Sequence, residues 1–320
     1  MGERTFTMQL PWLMLPRFPS FKQLELQDAD EVQRYVYRYG SFSEFNFASL
    51  WSWNLDNSVL VSALNDNLVV RLTDYASGNV FYSLLGDNNL NSSVEALIAL
   101  SSREKLQPKL RLVPEIVAQQ LDKDVFSITE DDNHADYILL VDRLRTYEGT
   151  RLASKRNEVR KFSRLCPSSR FGILDLNDPV VVEESRAVFE RWISRKAVAH
   201  QAETDRELIA FERCLDSKDH LRLIGTGIFA SDSLVAFSIL QIVDDKNALT
   251  LFEKADTGEF PGIGSFLNQQ VAFLLAAQGI RYLNIEQDLG IAGLRMSKRS
   301  YDPCGYLKKY NVCYHGSEAA

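Results

Sequence analysis

The chain is short of everything that would anchor it in a bilayer, clamp a metal or brace it covalently. Its longest apolar runs, such as Leu234 to Val243, are broken by Ser238 and Gln241 and fall well below the roughly 20 residues that cross a membrane as a helix. No transmembrane helix is expected. The four cysteines (Cys166, Cys214, Cys304, Cys313) form no CxxC pair and the four histidines (His134, His200, His220, His315) stand singly, which supports neither a disulfide framework nor a zinc site. The opening "MGERTFTMQLPWLMLPRF" lacks an unbroken apolar stretch and a small-residue cleavage site, so the protein is read as cytoplasmic. Acidic residues outnumber basic ones, 43 to 36. The net charge of −7 argues against a generally cationic surface that would coat nucleic acid.

What is present is the composition of an ordinary folded protein, 45% apolar and 25% charged. At 320 residues two domains are expected. The reading places an arm at 1–20, a first domain at 21–150, a basic connecting helix at 151–168 and a second domain at 169–320. "FKQLELQDADEVQRYVYRYG" reads as a short strand and a helix that Asp28 or Asp30 caps and Gly40 ends. The aromatic block "SFSEFNFASLWSWN" reads as a core face, and "NDN" joins two alternating runs as a hairpin. Further strands are read in "NVFYSLLG" and "KLRLVP", and "DYILLVDRL" is expected to close the first domain.

The second domain reads as strand, helix, a second helix boxed by Thr204 and Glu207, then antiparallel strands over 221–229, 233–243 and 248–254. A glycine loop, a helix ending at Gly279 and the strand "IRYLNIEQD" follow.

Three segments carry candidate chemistry. The loop Glu259 to Gly264 has glycines at 262 and 264, so its amides, with Ser265 opening the next helix, suit an anion such as a pyrophosphate. In "YLNIEQD", strand alternation puts Asn284, Glu286 and Asp288 on one face, where polar side chains are unusual for a core. Glu286 or Asp288 is read as a general base, with Arg295 and Lys298 holding an anionic donor or stabilising an oxyanion. The alternative is a structural ion-pair network among the same groups. Beyond Asp302 and Pro303, "YLKKYNVCY" reads as one closing strand. Finally "RLASKRNEVRKFSRL" reads as a basic helix at the domain junction, either a solvated face or a binding surface.

The strand order, with its glycine loop ahead of a helix, resembles the Gcn5-related N-acetyltransferase (GNAT) fold. "KRNEVRKF", "SEFNFASLWSW" and "NIEQDLGIAGLRMSKRSYDPCGYLKKY" together resemble the C-terminal domain family of phosphatidylglycerol lysyltransferases, from about Phe21 onward. The resemblance implies an α+β chain of two tandem acyl-CoA N-acyltransferase (GNAT)-like domains, each a mixed, mostly antiparallel sheet flanked by helices. It implies an acyltransferase, with an aminoacyl group taken from tRNA and passed to an amine or hydroxyl. On that reading Lys155, Arg156, Asn157, Asn284, Tyr301, Lys309 and Tyr310 face substrate or tRNA, and Gly262, Gly264 and Ser265 hold any coenzyme A or acyl-CoA. Peripheral contact with lipid at a membrane surface is a further implication. A coenzyme A-dependent N-acetyltransferase and a non-catalytic ligand-binding module remain the alternatives.

Overall fold

The computed structural model describes residues 15–74, 78–195 and 201–317, with the backbone alone for 201–203. Most of the arm read at 1–20, and His200, lie outside these residues. The first half opens with β1 (Lys22–Gln23) and α1 (Ala29–Tyr39). The cap falls on Asp28, whose carboxylate accepts the Glu25 amide at 2.9 Å. Gly40 ends α1 at φ 110°, a conformation that a Cβ disfavours.

The aromatic block forms a short 3-10 turn (Ser43–Phe45) and α2 (Phe47–Ser52), and Phe42, Phe45 and Phe47 are buried as a core face. Then come β2 (Leu60–Leu64) and β3 (Asn67–Thr73), joined through Asn65 and Asp66, both at positive φ as a tight hairpin requires. β4 (Val80–Leu85), α3 (Leu90–Arg103), β5 (Lys109–Pro114), α4 (Glu115–Ala118), β6 (Phe126–Glu130), β7 (Asp136–Leu140) and α5 (Val141–Thr146) complete it.

The basic segment is α6 (Ala153–Leu165). The second half repeats the plan with β8 (Arg170–Leu174), α7 (Pro179–Ile193), α8 (Gln201–Asp216), α9 (Lys218–Leu221), β9 (Leu223–Ala230), β10 (Ser233–Ile242) and β11 (Asn247–Ala255). It continues through α10 (Ile263–Ala277), β12 (Tyr282–Asn284), α11 (Ala292–Arg299), β13 (Gly305–Leu307) and β14 (Lys309–Tyr314). Thr204, read as a helix cap, lies inside α8.

Two seven-stranded sheets result, ordered β1-β2-β3-β4-β5-β14-β6 and β13-β7-β12-β11-β10-β9-β8. Each is antiparallel except for one parallel pair beside its helix crossover, β4 with β5 and β11 with β12. The fold is thus α+β, two mixed sheets flanked by helices.

Three expectations are corrected. "DYILLVDRL" does not close the first sheet: β7 crosses to the second, between β12 and β13. The closing strand is two strands. β13 pairs with β7, the chain turns at Lys308, and β14 enters the first sheet between β5 and β6. Each sheet therefore borrows one strand from the other half, and the sheets do not divide at residue 150. The third correction concerns β12, which stops at Asn284 because Glu286 takes φ 58° and leaves extended backbone.

Candidate functional site

β11 and β12 pair only from Asn247↔Tyr282 to Leu249↔Asn284. Beyond that, β11 runs on to Ala255 while the other chain segment turns away, so the two strands part. Glu253 of β11 and Glu286 of the departing segment lie beyond the last shared pair. Lys298, projecting from α11, reaches this region and lies within electrostatic range of both carboxylates.

Glu286 accepts a hydrogen bond from Ser49 Oγ at 2.9 Å on Oε1, and its backbone amide donates to Asn284 Oδ1 at 2.7 Å. Burial pushes its pKa up to about 7. Lys298 and the Ser49 hydroxyl oppose that rise, while Asp136 and Glu44 add to it. Glu253 is likewise pushed up to about 7 by burial, against the Asn268 amide that it accepts at 2.9 Å. Lys298 donates to the carbonyls of Ile285 and, at 2.6 Å, Gln287. Burial brings its pKa down to about 8, with Glu286 first among the acids holding it up.

Asp288 is treated differently. It is 1% exposed and grips Arg295 with both oxygens, Nε to Oδ2 at 2.8 Å and Nη2 to Oδ1 at 2.9 Å. It also accepts from Tyr137 Oη at 2.5 Å and the Gly290 amide at 2.9 Å. Burial alone would raise its pKa, but these donors, Arg295 foremost, hold it below the ordinary carboxylate value. Arg295 further donates to Asn133 Oδ1 at 2.8 Å. Asp288 and Arg295 thus engage each other, as the ion-pair reading supposed.

The structure gathers a second set of groups next to Gln287 and Asn284, where the exchanged strands meet. Lys309, fully buried on β14, donates to Asp136 Oδ1 of β7 at 2.7 Å, to Glu44, and to Ser43 Oγ and Gln287 Oε1 at 3.2 Å each. Asn284 joins them, donating to Asp136 Oδ2 at 3.2 Å and to the Ser41 carbonyl at 2.9 Å. Three acids (Glu44, Asp136, Glu286) face two lysines (Lys298, Lys309), and both Glu44 and Glu286 have raised pKa values. The cluster is therefore suited to retaining a proton near neutral pH.

Lys309 was expected to face substrate or tRNA. Full burial corrects that: it holds the two halves together and presents nothing to solvent. Tyr310, its neighbour, packs into the first half's core against the β4–α3 side.

The α6 residues separate. Lys155 is 8% exposed, its Nζ 4.3 Å from the centre of the Tyr301 ring and 3.3 Å from Glu158 Oε2. Arg156 donates to the carbonyls of Tyr147 and, at 2.8 Å, Gly149, fastening α6 to the end of α5. Asn157 faces solvent, as do Arg160, Lys161 and Arg164. Tyr301 bridges α6 and the groups around Glu253, since Asn268 Nδ2 lies 3.4 Å from its hydroxyl.

The glycine loop precedes α10 as expected, with Gly262 at φ 92°. Its surroundings are not those of an open cradle. The Ser265 hydroxyl donates to the Glu158 carboxylate, and a methyl group at Gly262 would collide with the Glu158 backbone carbonyl.

Sequence reading missed Glu253, Asn268, Glu44 and Asp136. The available signal was a charged residue inside an otherwise buried element: Glu253 in "LTLFEKA", Glu44 in the aromatic block, Asp136 opening β7. Two surface clefts of about 550 and 520 Å³ lie elsewhere, one beside Arg191, Ser231 and Glu259, the other beside Arg143, Arg151 and Asp302. Neither contains the groups whose ionisation is moved toward neutrality, and those groups are the better guide to chemistry.

In the second sheet the parallel pair β11 and β12 thus parts beside Glu253, Glu286 and Lys298. The family model for the phosphatidylglycerol lysyltransferase C-terminal domain matches residues 37–313, and the chain belongs to that family. A solved structure from Bacteroides thetaiotaomicron, a conserved protein of unknown function, is 26% identical with a TM-score of 0.82, over 94% of this chain and 100% of that one. L-PGS from Bacillus licheniformis aligns at TM-score 0.60 and 12% identity, over 90% of this chain and 92% of its own. The C-terminal domain of a protein assigned as a lysylphosphatidylglycerol synthetase, from Agrobacterium fabrum, aligns at 0.63 and 13%, over 92% and 93%. At that identity these two show the shared fold. A search of curated proteins finds no significant match. Among the described residues no helix is long and apolar enough to cross a membrane.

Proposed function

We propose that the region between β11 and the segment after β12 is the active site of an acyltransferase that passes an aminoacyl group from aminoacyl-tRNA, or another acyl group, to an amine or hydroxyl. The observation that carries the reading is the convergence of Glu253, Glu286 and Lys298, each with its pKa moved toward neutrality. Acyl transfer needs a base for the attacking N–H or O–H, a cation near the oxygen that gains charge, and an acid for the leaving group.

Glu286 is assigned the base, because Ser49 engages one of its oxygens and the other has no such partner. As the acceptor bonds to the acyl carbon, its proton passes to Glu286. As the acyl–oxygen bond of an aminoacyl-tRNA donor breaks, the departing ribose oxygen takes a proton from Glu253 and leaves as the hydroxyl. Lys298 uses two of its three N–H groups on backbone carbonyls and has one left for the oxyanion. Asp288 and Arg295 fix the backbone on which Glu286 stands.

Family membership supports an aminoacyl donor, and the exposed Arg160, Lys161 and Arg164 of α6 suit the phosphates of an RNA end. The test is transfer of a radiolabelled amino acid from a panel of aminoacyl-tRNAs, set beside radiolabelled acetyl-coenzyme A, to phosphatidylglycerol vesicles, free amines and peptides. Turnover that Glu286→Gln, Glu253→Gln and Lys298→Met each cut sharply supports the assignment; full activity in all three variants sinks it. Turnover with acetyl-coenzyme A alone favours the acetyltransferase reading. Donor binding by the wild type without turnover favours a non-catalytic module.

A further inference from the structure

We infer that Glu158 is a specificity-determining residue that closes the α10 loop to nucleotide thioesters such as coenzyme A. A helix N-terminus preceded by glycines attracts anions through its unpaired amides and the positive end of its dipole. Here the protein supplies the anion itself. The Glu158 carboxylate accepts the Ser265 hydroxyl in the first turn of α10. Lys155, 8% exposed and stacked on the Tyr301 ring, holds the same carboxylate oxygen, Oε2, at 3.3 Å. The α6 backbone packs so closely over Gly262 that even a methyl group there would meet the Glu158 carbonyl.

The remaining charge points the same way. Glu259 stands at the head of the loop, so an entering pyrophosphate would meet two carboxylates where a cofactor cradle offers donors. Gly262 and Ser265, read from sequence as cofactor residues, are both taken up by α6, and Gly264 alone has open space beside it. The inference does not depend on whether the region after β12 is catalytic, since it concerns which donor can use the loop.

The experiment is calorimetric titration of the wild-type chain, Glu158→Ala, Glu158→Gln and, as a control on exposed charge in α3, Arg103→Ala with coenzyme A and with inorganic pyrophosphate. The wild type and Arg103→Ala are expected to bind neither by way of the loop. Glu158→Ala is expected to gain affinity for pyrophosphate by about tenfold, the scale of one helix-terminus charge interaction in a partly buried site. Glu158→Gln removes the charge while keeping size and hydrogen bond, and carries the test should the alanine variant not fold. Coenzyme A bound by the wild type and displaced by pyrophosphate overturns the inference, as does the absence of any gain in both variants. Coenzyme A bound by the wild type but indifferent to pyrophosphate leaves the loop closed and supports it.

Discussion

Two carboxylates stand two residues apart after β12, and the protein treats them oppositely. Asp288 is saturated by Arg295, Tyr137 and the Gly290 amide, and its pKa is held down. Glu286 has the Ser49 hydroxyl on one oxygen, and its pKa is pushed up to about 7. Burial opposes ionisation in both and weighs more heavily on Glu286, and the donors differ as well: a carboxylate given several stays charged and becomes structure, while one given few is left able to exchange a proton.

The largest expected effect comes from removing the buried cation that bonds Gln287, the residue between them. Lys309→Met leaves Glu44 and Asp136 buried with no partner of opposite charge, at a cost of about 3–5 kcal/mol. Because β7 and β14 exchange between the sheets, the loss should weaken both halves in a single transition. Urea denaturation followed by tryptophan fluorescence checks this, and an unchanged midpoint would show that the buried ions are dispensable.

The contrast itself is tested by paired neutral substitutions. Glu286→Gln should lower transfer by about 10²–10⁴, the usual contribution of a general base, with little loss of stability. Asp288→Asn should do the reverse, lowering the urea midpoint while transfer falls mainly with the folded fraction. Equal loss of transfer at equal stability in both variants would erase the distinction.

The two acids also predict opposite pH slopes. Glu286, raised from 4.5 to about 7, favours the folded state fully below about pH 4.5 and loses that contribution as pH rises through about 7. Asp288, depressed below 3.8, contributes above that value and loses its contribution as pH falls through its folded pKa. Glu286→Gln should therefore flatten the stability profile between pH 4.5 and 7, and Asp288→Asn should flatten it in strong acid. Transfer should peak near pH 7, limited below it by ionisation of Glu286 and above it by loss of the Glu253 proton and, from about pH 8, of the Lys298 proton. A rate independent of pH across that range would count against all three groups.

Local signals made most of the fold legible. Gly40, the Asn65–Asp66 turn and the alternating runs of β9 to β11 each follow from short-range backbone chemistry. The strand exchange was not legible, since β7 and β14 look the same in sequence whichever sheet they join. The candidate site divided in the same way. Glu286 was singled out because polar residues crowd the end of a short strand, and Lys298 because basic residues follow it in the next segment. Alternation then misled about Glu286 and Asp288 sharing a face, because positive φ at Glu286 ends the strand. Lys309 looked like a surface lysine in "YLKKY", and only long-range pairing with Glu44 and Asp136 shows that it is buried.

The smallest expected effect on the fold tests the outer side of the same junction. Lys155 and Arg156 are engaged inside the protein, whereas Arg160, Lys161 and Arg164 point into solvent on the same helix. Replacing these three together with alanine should leave stability within about 0.5 kcal/mol, as exposed positions usually do. If α6 meets an RNA end, affinity for tRNA should fall and the slope of log affinity against log salt should lessen by up to about 3, roughly one for each phosphate that is no longer neutralised. Binding in filter assays across a salt series measures both. An unchanged slope would make the exposed basic face of α6 a solvated surface, and would move the recognition of any nucleic-acid donor to the proposed active site alone.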